Sequence, residues 1–325
     1  MAKVAIPPPP ALPWNARVGR FLNGKAFAYL CIAPVVIAMS VLIFYPMIQG
    51  ILYSFTNAND SNIGGHIGPN IIPATYKNVG IQNYIDILTN KASGSVQFAG
   101  LLMQTLIWVV GCVVFHVIFG VGLAMLLNRN IRFRGAYRAV MMIPWAMPQY
   151  VAALAWSFFL NQNYGIINVG LTSLHLAAVP WTTDPNWARF AVIMVNTWLG
   201  VPFYVVTVLG GLQSIPAELN EAAAIDGANW WQRFRNVTLP MLRPILGLVM
   251  LLDTIWTFNL FAVIYFITGG APGHASDTII SYAYENPITT HNYGIGAAYG
   301  MIILFILMIF TIGYSRAVRV SQGVN

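Results

Sequence analysis

The chain has 325 residues, of which 58% are hydrophobic and only 8% charged; its net charge is +7 and its mean hydropathy +0.66. A soluble domain carries about 25% charged residues to face water, so this composition excludes a soluble globular protein and makes lipid the solvent. The basic balance would suit nucleic acid, but its distribution along the chain argues against that reading.

Residues 1–26 form a basic tail with Pro7 to Pro10 in a row, a polyproline-type or flexible segment. Six apolar stretches follow, at Phe27–Tyr53, Leu101–Leu127, Ala136–Leu160, Phe190–Leu212, Ile245–Ile267 and Ile295–Tyr314. Each reaches the roughly 20 residues that cross a bilayer core, and each must be helical, because hydrocarbon offers the backbone no partner. The fold class expected is therefore all-α, a polytopic membrane protein of about six transmembrane helices. The first stretch exceeds the apolar core of a signal peptide, with no small-residue cleavage site after it, and is expected to remain as an anchor. Pro34 and Pro46 in the first stretch, Pro144 and Pro148 in the third and Pro202 in the fourth predict kinks.

With the N-terminus inside, the cytoplasmic segments hold Lys3, Arg17, Arg20, Lys25, Arg129, Arg132, Arg134, Arg138, Arg233, Arg235, Arg243, Arg316 and Arg319. Only Lys77, Lys91 and Arg189 fall outside. This asymmetry obeys the positive-inside rule and puts both termini in the cytoplasm. Basic charge here encodes topology; no nucleic-acid partner is expected.

Between the spans lie a long outer loop (54–100), a short basic inner loop (128–135), an outer loop (161–189) with Trp181 and Trp187 as interface anchors, an inner loop (213–244) and an outer loop (268–294). Cys31 and Cys112 sit inside spans without metal-type spacing and read as small hydrophobes. Gly19–Ala26 mimics a phosphate-binding loop, but Ala26 stands where the Mg²⁺-binding hydroxyl belongs and no strand precedes it. Asn236-Val237-Thr238 is a glycosylation triplet on the cytoplasmic side, an accident of sequence. The five histidines are scattered, no catalytic or metal-binding motif is present, and neither a catalytic residue nor a metal site is expected.

The inner loop is the most informative segment. Pro216 suits the first position of a helix. Glu218 and Glu221 complement its positive end, and Ala222, Ala223 and Ala224 propagate it while keeping one side thin. Gly227 permits a bend or a close approach, and Leu239-Pro240 closes the segment before the fifth span. The result is a short helical elbow around which another protein can close.

Glu221-Ala222-Ala223, three residues, Gly227, nine residues, then Val237-Thr238-Leu239-Pro240 resembles the signature of binding-protein-dependent ABC importer permeases, with valine for isoleucine as the one departure. Flanking residues are similar to the maltose-type, carbohydrate-uptake class: Ile143-Pro144-Trp145, Trp198 to Phe203, Gly211 to Pro216, Phe258 to Phe261 and Thr268-Gly269-Gly270. The resemblance implies a type I ABC importer permease fold over 27–325 in a bacterial or archaeal plasma (inner) membrane. It also implies that Glu221, Ala222, Ala223, Asp226, Gly227, Leu239 and Pro240 form a coupling helix docking on an ABC ATPase dimer. The other implied partners are a second permease subunit as heterodimer, an extracytoplasmic solute-binding protein and a sugar. ATP and Mg²⁺ belong to the ATPase, with no cofactor and no enzymatic activity in this chain.

Asp253 is the sole acid in the six spans, about 12 Å into the fifth at 1.5 Å per residue. Trp256 and Thr257 share its helical face. A carboxylate, an indole and a hydroxyl on one stripe suit a sugar; equally, Asp253 pairs with a neighbouring helix and Trp256 packs. The resemblance adds Gly200 and Phe203 on the fourth span to the substrate contacts, with Asn259 a weaker one. His116 and Gln104 read as interhelical hydrogen-bonding groups. The rival functions are an importer permease for a non-sugar solute, an ion-coupled carrier, for which one intramembrane acid is thin support, and an intramembrane enzyme, for which no paired catalytic groups converge.

Overall fold

The computed structural model describes residues 25–67, 70–92 and 96–321. The tail before Lys25, with its prolines and basic residues, lies outside them. The chain divides into two compact units, Met1–Leu52 and Tyr53–Asn325.

The described residues of the first unit form one apolar helix. It comprises α1 (Lys25–Met39), a π-helical turn (Ser40–Phe44) and the start of α2 (Tyr45–Ser54). Its side chains, among them Leu30, Val35, Ile37 and Leu42, are exposed.

The second unit begins with a small antiparallel hairpin, β1 (Gly65–Ile67) and β2 (Asn70–Ile72), and α3 (Gln82–Leu88). Asn83 on α3 donates to the backbone oxygens of Ser54 (2.9 Å) and Thr56 (2.8 Å), which ties the loop to the end of α2. Next come α4 (Phe98–Leu127), α5 (Arg134–Ala146), α6 (Gln149–Phe159), α7 (Ile166–Ser173) and α8 (Pro185–Ser214). Asp184 caps α8 by accepting from the amides of Asn186 and Trp187 at 2.9 and 3.0 Å, and Pro185 occupies the first turn. After α9 (Ala217–Ile225), α10 (Trp230–Arg233), a second π-helical turn (Phe234–Thr238) and α11 (Leu239–Phe258) run as one 29-residue helix. The chain ends with α12 (Ala262–Ile267), α13 (Ile279–Thr290) and α14 (Tyr293–Ser321).

Among the described residues five helices are long and apolar enough to cross a membrane, and the bent pair α5 and α6 makes up to six. Four of the expected spans keep their places with small shifts at the ends. The other two differ for physical reasons. The third, expected as one crossing, is broken at 93° between Ala146 and Gln149. Pro148 forces the residue before it out of helical geometry, and Met147 is extended (φ −76°, ψ 138°). The fifth helix starts at Trp230 rather than Ile245 and stops at Phe258 rather than Ile267. A capping box launches it: Asn229 accepts from the Gln232 amide at 2.9 Å, and Gln232 accepts from the Asn229 amide at 2.8 Å. Leu239-Pro240 therefore ends nothing. The π turn just before it widens the backbone where proline removes a donor, and the same device precedes Pro46.

The core lies where α4 packs along α8, with Trp108, Cys112, Val192, Val195 and Leu199 buried. Both cysteines are free thiols, Cys31 exposed and Cys112 buried. Two glycines set the spacing of the two helices. A methyl group at Gly120 on α4 would sit 2.3 Å from Tyr204 Cβ, and one at Gly200 on α8 would sit 2.3 Å from His116 Nε2. Each helix thus receives a ring of the other in a notch, as small residues permit in membrane helix pairs.

Opposite the coupling loop, the connections are folded rather than loose. Arg189 donates to Gln104 (2.7 Å) and to the Ala275 backbone oxygen (3.1 Å), so Gln104 is the interhelical group expected. Asp277, buried in the loop before α13, accepts from Ser281 (2.8 Å) and pairs with His274 (2.7 Å). Trp181 is no interface anchor: it is buried, donating to Asn168 at 2.9 Å, while Trp187 stacks edge-on against it.

Gly120→Ala places a carbon where none fits, and overpacking of this kind costs about 1–3 kcal/mol. We predict a lower unfolding temperature of the purified variant, whereas Gly122→Ala, at a position with nothing within 4 Å, stays at the wild-type value.

Candidate functional site

Asp253 lies on α11, five residues before the helix ends at Phe258, and so stands about 8 Å from that end, where the sequence put it about 12 Å in from Ile245. It is buried, and three side chains hold it. Tyr204 on α8 donates to Oδ2 at 2.9 Å, His116 Nδ1 on α4 meets the same oxygen at 2.9 Å, and Thr257, one turn on, donates to Oδ1 at 3.2 Å. The other ring nitrogen of His116 lies 3.0 Å from the Asn196 backbone oxygen. That oxygen only accepts, so Nε2 carries a proton. Nδ1 then either donates to a carboxylate, as an imidazolium, or accepts from a carboxylic acid. Both arrangements leave the pair without net charge, which is how an ionisable group survives at this depth. Asp253 thus pairs between helices, and His116 is the interhelical hydrogen-bonding group the sequence indicated.

The glycine notches serve this cluster. Gly120 admits Tyr204 and Gly200 admits His116, the two side chains from other helices that reach Asp253. Gly200 is thus required first for close approach. Trp108 donates to the Thr257 backbone oxygen at 2.9 Å and fixes α11 to α4 beside the cluster.

Next to Asp253 is a cavity of about 80 Å³. Asp253, Trp256, Thr257, Gly200 and Phe203 all border it, together with His116, Trp145, Gln149, Asn196, Leu199 and Leu260. Trp256 is 54% exposed, and its ring lies 5.2 Å from that of Phe203, making one aromatic wall. Among the described residues Asn196 Nδ2 is buried without a hydrogen-bond acceptor, and its side chain lies against the Cys112 thiol. A buried donor of this kind costs about 1–3 kcal/mol until something accepts from it. Asn259 does not belong to the site: it is exposed, caps α11 and donates to the Ile255 backbone oxygen at 2.9 Å. Asn196, Trp145 and Gln149 were missed in the sequence. Asn196 sits one helical turn before Gly200, a spacing that was there to be used.

The coupling segment folds as an elbow. Pro216 stands just before α9, with extended ψ (131°), one position earlier than expected. Glu218 lies in the first turn, and no residue of α9 is buried in this chain. Gly227 adopts φ +81°; its amide bonds to Ala224 O (3.1 Å) and the Ala228 amide to Ala223 O (2.9 Å). This is a Schellman stop, which favours glycine. The bend expected of Gly227 is present, while the close approach is not, since nothing lies within 4 Å of a side chain built there. Ile225 is 87% exposed, and the rings of Trp230, Trp231 and Phe234 cluster within 6.0 Å of one another, with both indoles half exposed.

A helical membrane chain with a polar cavity among its helices and an unburied helical elbow between two long spans has the architecture of a solute permease. The sequence profile of the binding-protein-dependent transport system inner membrane component family matches residues 116–319. This chain belongs to that family, as a multi-pass permease subunit of an ATP-driven importer. It is 34% identical to the maltodextrin transport permease MalC of Streptococcus pneumoniae, over 89% of this chain and 68% of that one. To the trehalose/maltose permease MalF of Thermococcus litoralis it is 35% identical, over 74% and 80%. To the sulfoquinovosyl glycerol permease SmoG of Agrobacterium fabrum it is 31% identical, over 93% of both. In fold it is similar to a chain of a bacterial ABC transporter that imports alginate, with a TM-score of 0.74, 21% identity and coverage of 93% and 98%.

Removing one partner from a buried charge-bearing pair costs about 3–5 kcal/mol. We predict that Asp253→Ala and His116→Ala each lower the unfolding temperature strongly, and that the double variant loses much less than the sum. Additive losses in a double-mutant cycle would show that the pair is not coupled.

Proposed function

We propose that this chain is the carbohydrate-translocating permease of its importer, with the α8–α11 cavity as its solute subsite. The observation that carries the reading is the combination of an aromatic wall (Trp256, Phe203, with Trp145 nearby) and an unpartnered amide donor (Asn196). Aromatic faces pack on the C–H faces of a sugar ring while amide and hydroxyl groups meet its hydroxyls. The relatives named for maltodextrin, trehalose/maltose and sulfoquinovosyl glycerol support the same solute class.

Roles divide within the site. Trp256, Phe203 and Thr257 contact solute, joined by Asn196 and Gln149; Gly200 and Asp253 keep the wall in place through His116 and Tyr204. At about 80 Å³ the cavity is far smaller than the roughly 300 Å³ where ligand pockets begin. A second permease subunit completes it, in a heterodimer whose other face supplies the remaining wall.

Both termini face the cytoplasm, so α9 lies inside the cell. There Glu221, Ala222, Ala223, Asp226 and Gly227 form the coupling helix, and exposed Ile225 and the Trp230–Trp231 pair offer apolar surface to an ATPase dimer that binds ATP and Mg²⁺. Leu239 and Pro240 act farther back, where the π turn joins the elbow to the membrane helix. An extracytoplasmic binding protein delivers solute to the opposite face. ATP-driven closure of the ATPases pushes the coupling helices together and turns the cavity outward, and reopening releases solute inward. The permease contributes shape and differential affinity and makes or breaks no bond.

Two measurements test this. In proteoliposomes carrying the whole importer, Trp256→Ala and Asn196→Ala are expected to raise the KM for solute about tenfold, each having removed one good contact, at an unchanged unfolding temperature. An unchanged KM in both would remove them from the path. Gly227→Pro, which cannot adopt φ +81°, is expected to insert normally and abolish solute-stimulated ATP hydrolysis. Wild-type stimulation would separate the elbow from coupling.

A further inference from the structure

A second cavity lies at the other end of the α10–α11 helix from Asp253. Thr238, at the foot of that helix, is 15 residues from Asp253, about 22 Å along the axis. Here a cavity of about 350 Å³ opens between the end of α4, the end of α8, the coupling helix α9 and α10. Its charged lining is Arg129 and Arg233, its polar lining includes Asn128, Asn220 and Thr238, and Leu212 contributes to an apolar wall. No carboxylate lines it. Neither arginine is in an ion pair among the described residues, and the Nε of Arg233 is buried with no hydrogen-bond partner.

Arg129, exposed, and Arg233, half-buried, both line this space, and among the described residues no acid of the coupling helix forms an ion pair with either. A partly buried guanidinium N–H without an acceptor costs stability until an acceptor is supplied. The ligand that satisfies both demands is an oxyanion, because the guanidinium fork matches phosphate geometry with two parallel hydrogen bonds. An apolar wall beside the charges suits an anion with a hydrocarbon portion, and basic pockets between membrane helices are a known way to hold anionic headgroups.

We propose that this cavity binds a phosphate-type anion across Arg129 and Arg233. The two arginines stand on different elements, and Asn220 belongs to the coupling helix itself. An occupant therefore bridges the loop after α4, the foot of the α10–α11 helix and the elbow, and stiffens the elbow against the membrane part of the chain. Both a lipid headgroup and a free phosphate present this chemistry. The site is separate from the solute cavity and does not depend on which solute is carried.

The test uses the full chain purified in detergent and titrated separately with inorganic phosphate, phosphatidylglycerol and zwitterionic phosphatidylcholine. Unfolding temperature and native mass spectrometry are the readouts. The expected result is stabilisation and adduct formation with phosphatidylglycerol or inorganic phosphate but not with phosphatidylcholine. In R129Q/R233Q affinity should fall about tenfold or more, as loss of charge-assisted hydrogen bonds requires. R243Q, on the exposed side of α11, should bind as wild type. If the double variant fails to fold, R129Q and R233Q singly, and R233K, which keeps the charge but loses the fork, carry the comparison. Phosphatidylglycerol acting alone identifies a lipid headgroup, and inorganic phosphate acting identifies a soluble anion. No shift with either anion, or shifts that survive the arginine substitutions, overturns the proposal.

Discussion

The structure turns on one carboxylate that has no business in a membrane and is kept there by its neighbours. Asp253 is held by Tyr204 and His116 from the two helices that pack most intimately, α8 and α4, and by Thr257 on its own helix. An isolated charge in that position is costly enough to be excluded. Paired with the His116 imidazole and capped by two hydroxyls, it becomes a clamp that joins three helices at one point. Everything near it follows: the two glycine notches that let the rings in, the bond from Trp108 to the backbone of Thr257, and the orientation that leaves Trp256 facing the cavity.

That clamp stands beside a cavity whose polar surroundings differ in how they are satisfied. Its polar groups fall into two sets. One set, Asp253, His116 and Tyr204, satisfies itself and holds geometry. The other, Asn196 Nδ2 and the exposed indole of Trp256, is left unsatisfied or open within this chain. Groups whose needs are met internally make poor ligands for a passing solute, whereas unmet donors and bare aromatic faces make good ones. The same division recurs at the elbow. Its hydrogen bonds are completed by the Schellman turn at Gly227 and the capping box at Asn229, while its apolar side chains remain uncovered. Internal satisfaction gives the elbow rigidity, while its apolar face stays bare.

The two ends of α11 are also connected by an unbroken rod. From Trp230 to Phe258 the helix continues through Pro240 and Pro244, with a π turn absorbing the first proline. The elbow and the neighbourhood of Asp253 are therefore joined by a continuous helix rather than by a loop, and the cavity lined by Arg129 and Arg233 sits at the foot of that rod.

Much of this was written in the sequence, because the bilayer imposes strong local rules. Apolar runs of fixed length marked the spans, glycine and alanine spacing marked the elbow, and a lone acid marked the site. What the sequence did not carry was anything that depends on which helix faces which. Pro148 announced a break but not its 93° angle. Asp253 announced a partner but not that His116, 137 residues earlier in the chain, would be it. Gly200 gave no sign in the sequence that it receives the His116 ring, and Trp181 looked like an interface anchor until its bond to Asn168 came into view. Hydrophobic length and turn chemistry are properties of neighbours along the chain, so they are legible there. Pairing of buried polar groups is a property of neighbours in space, and only the packed helices decide it.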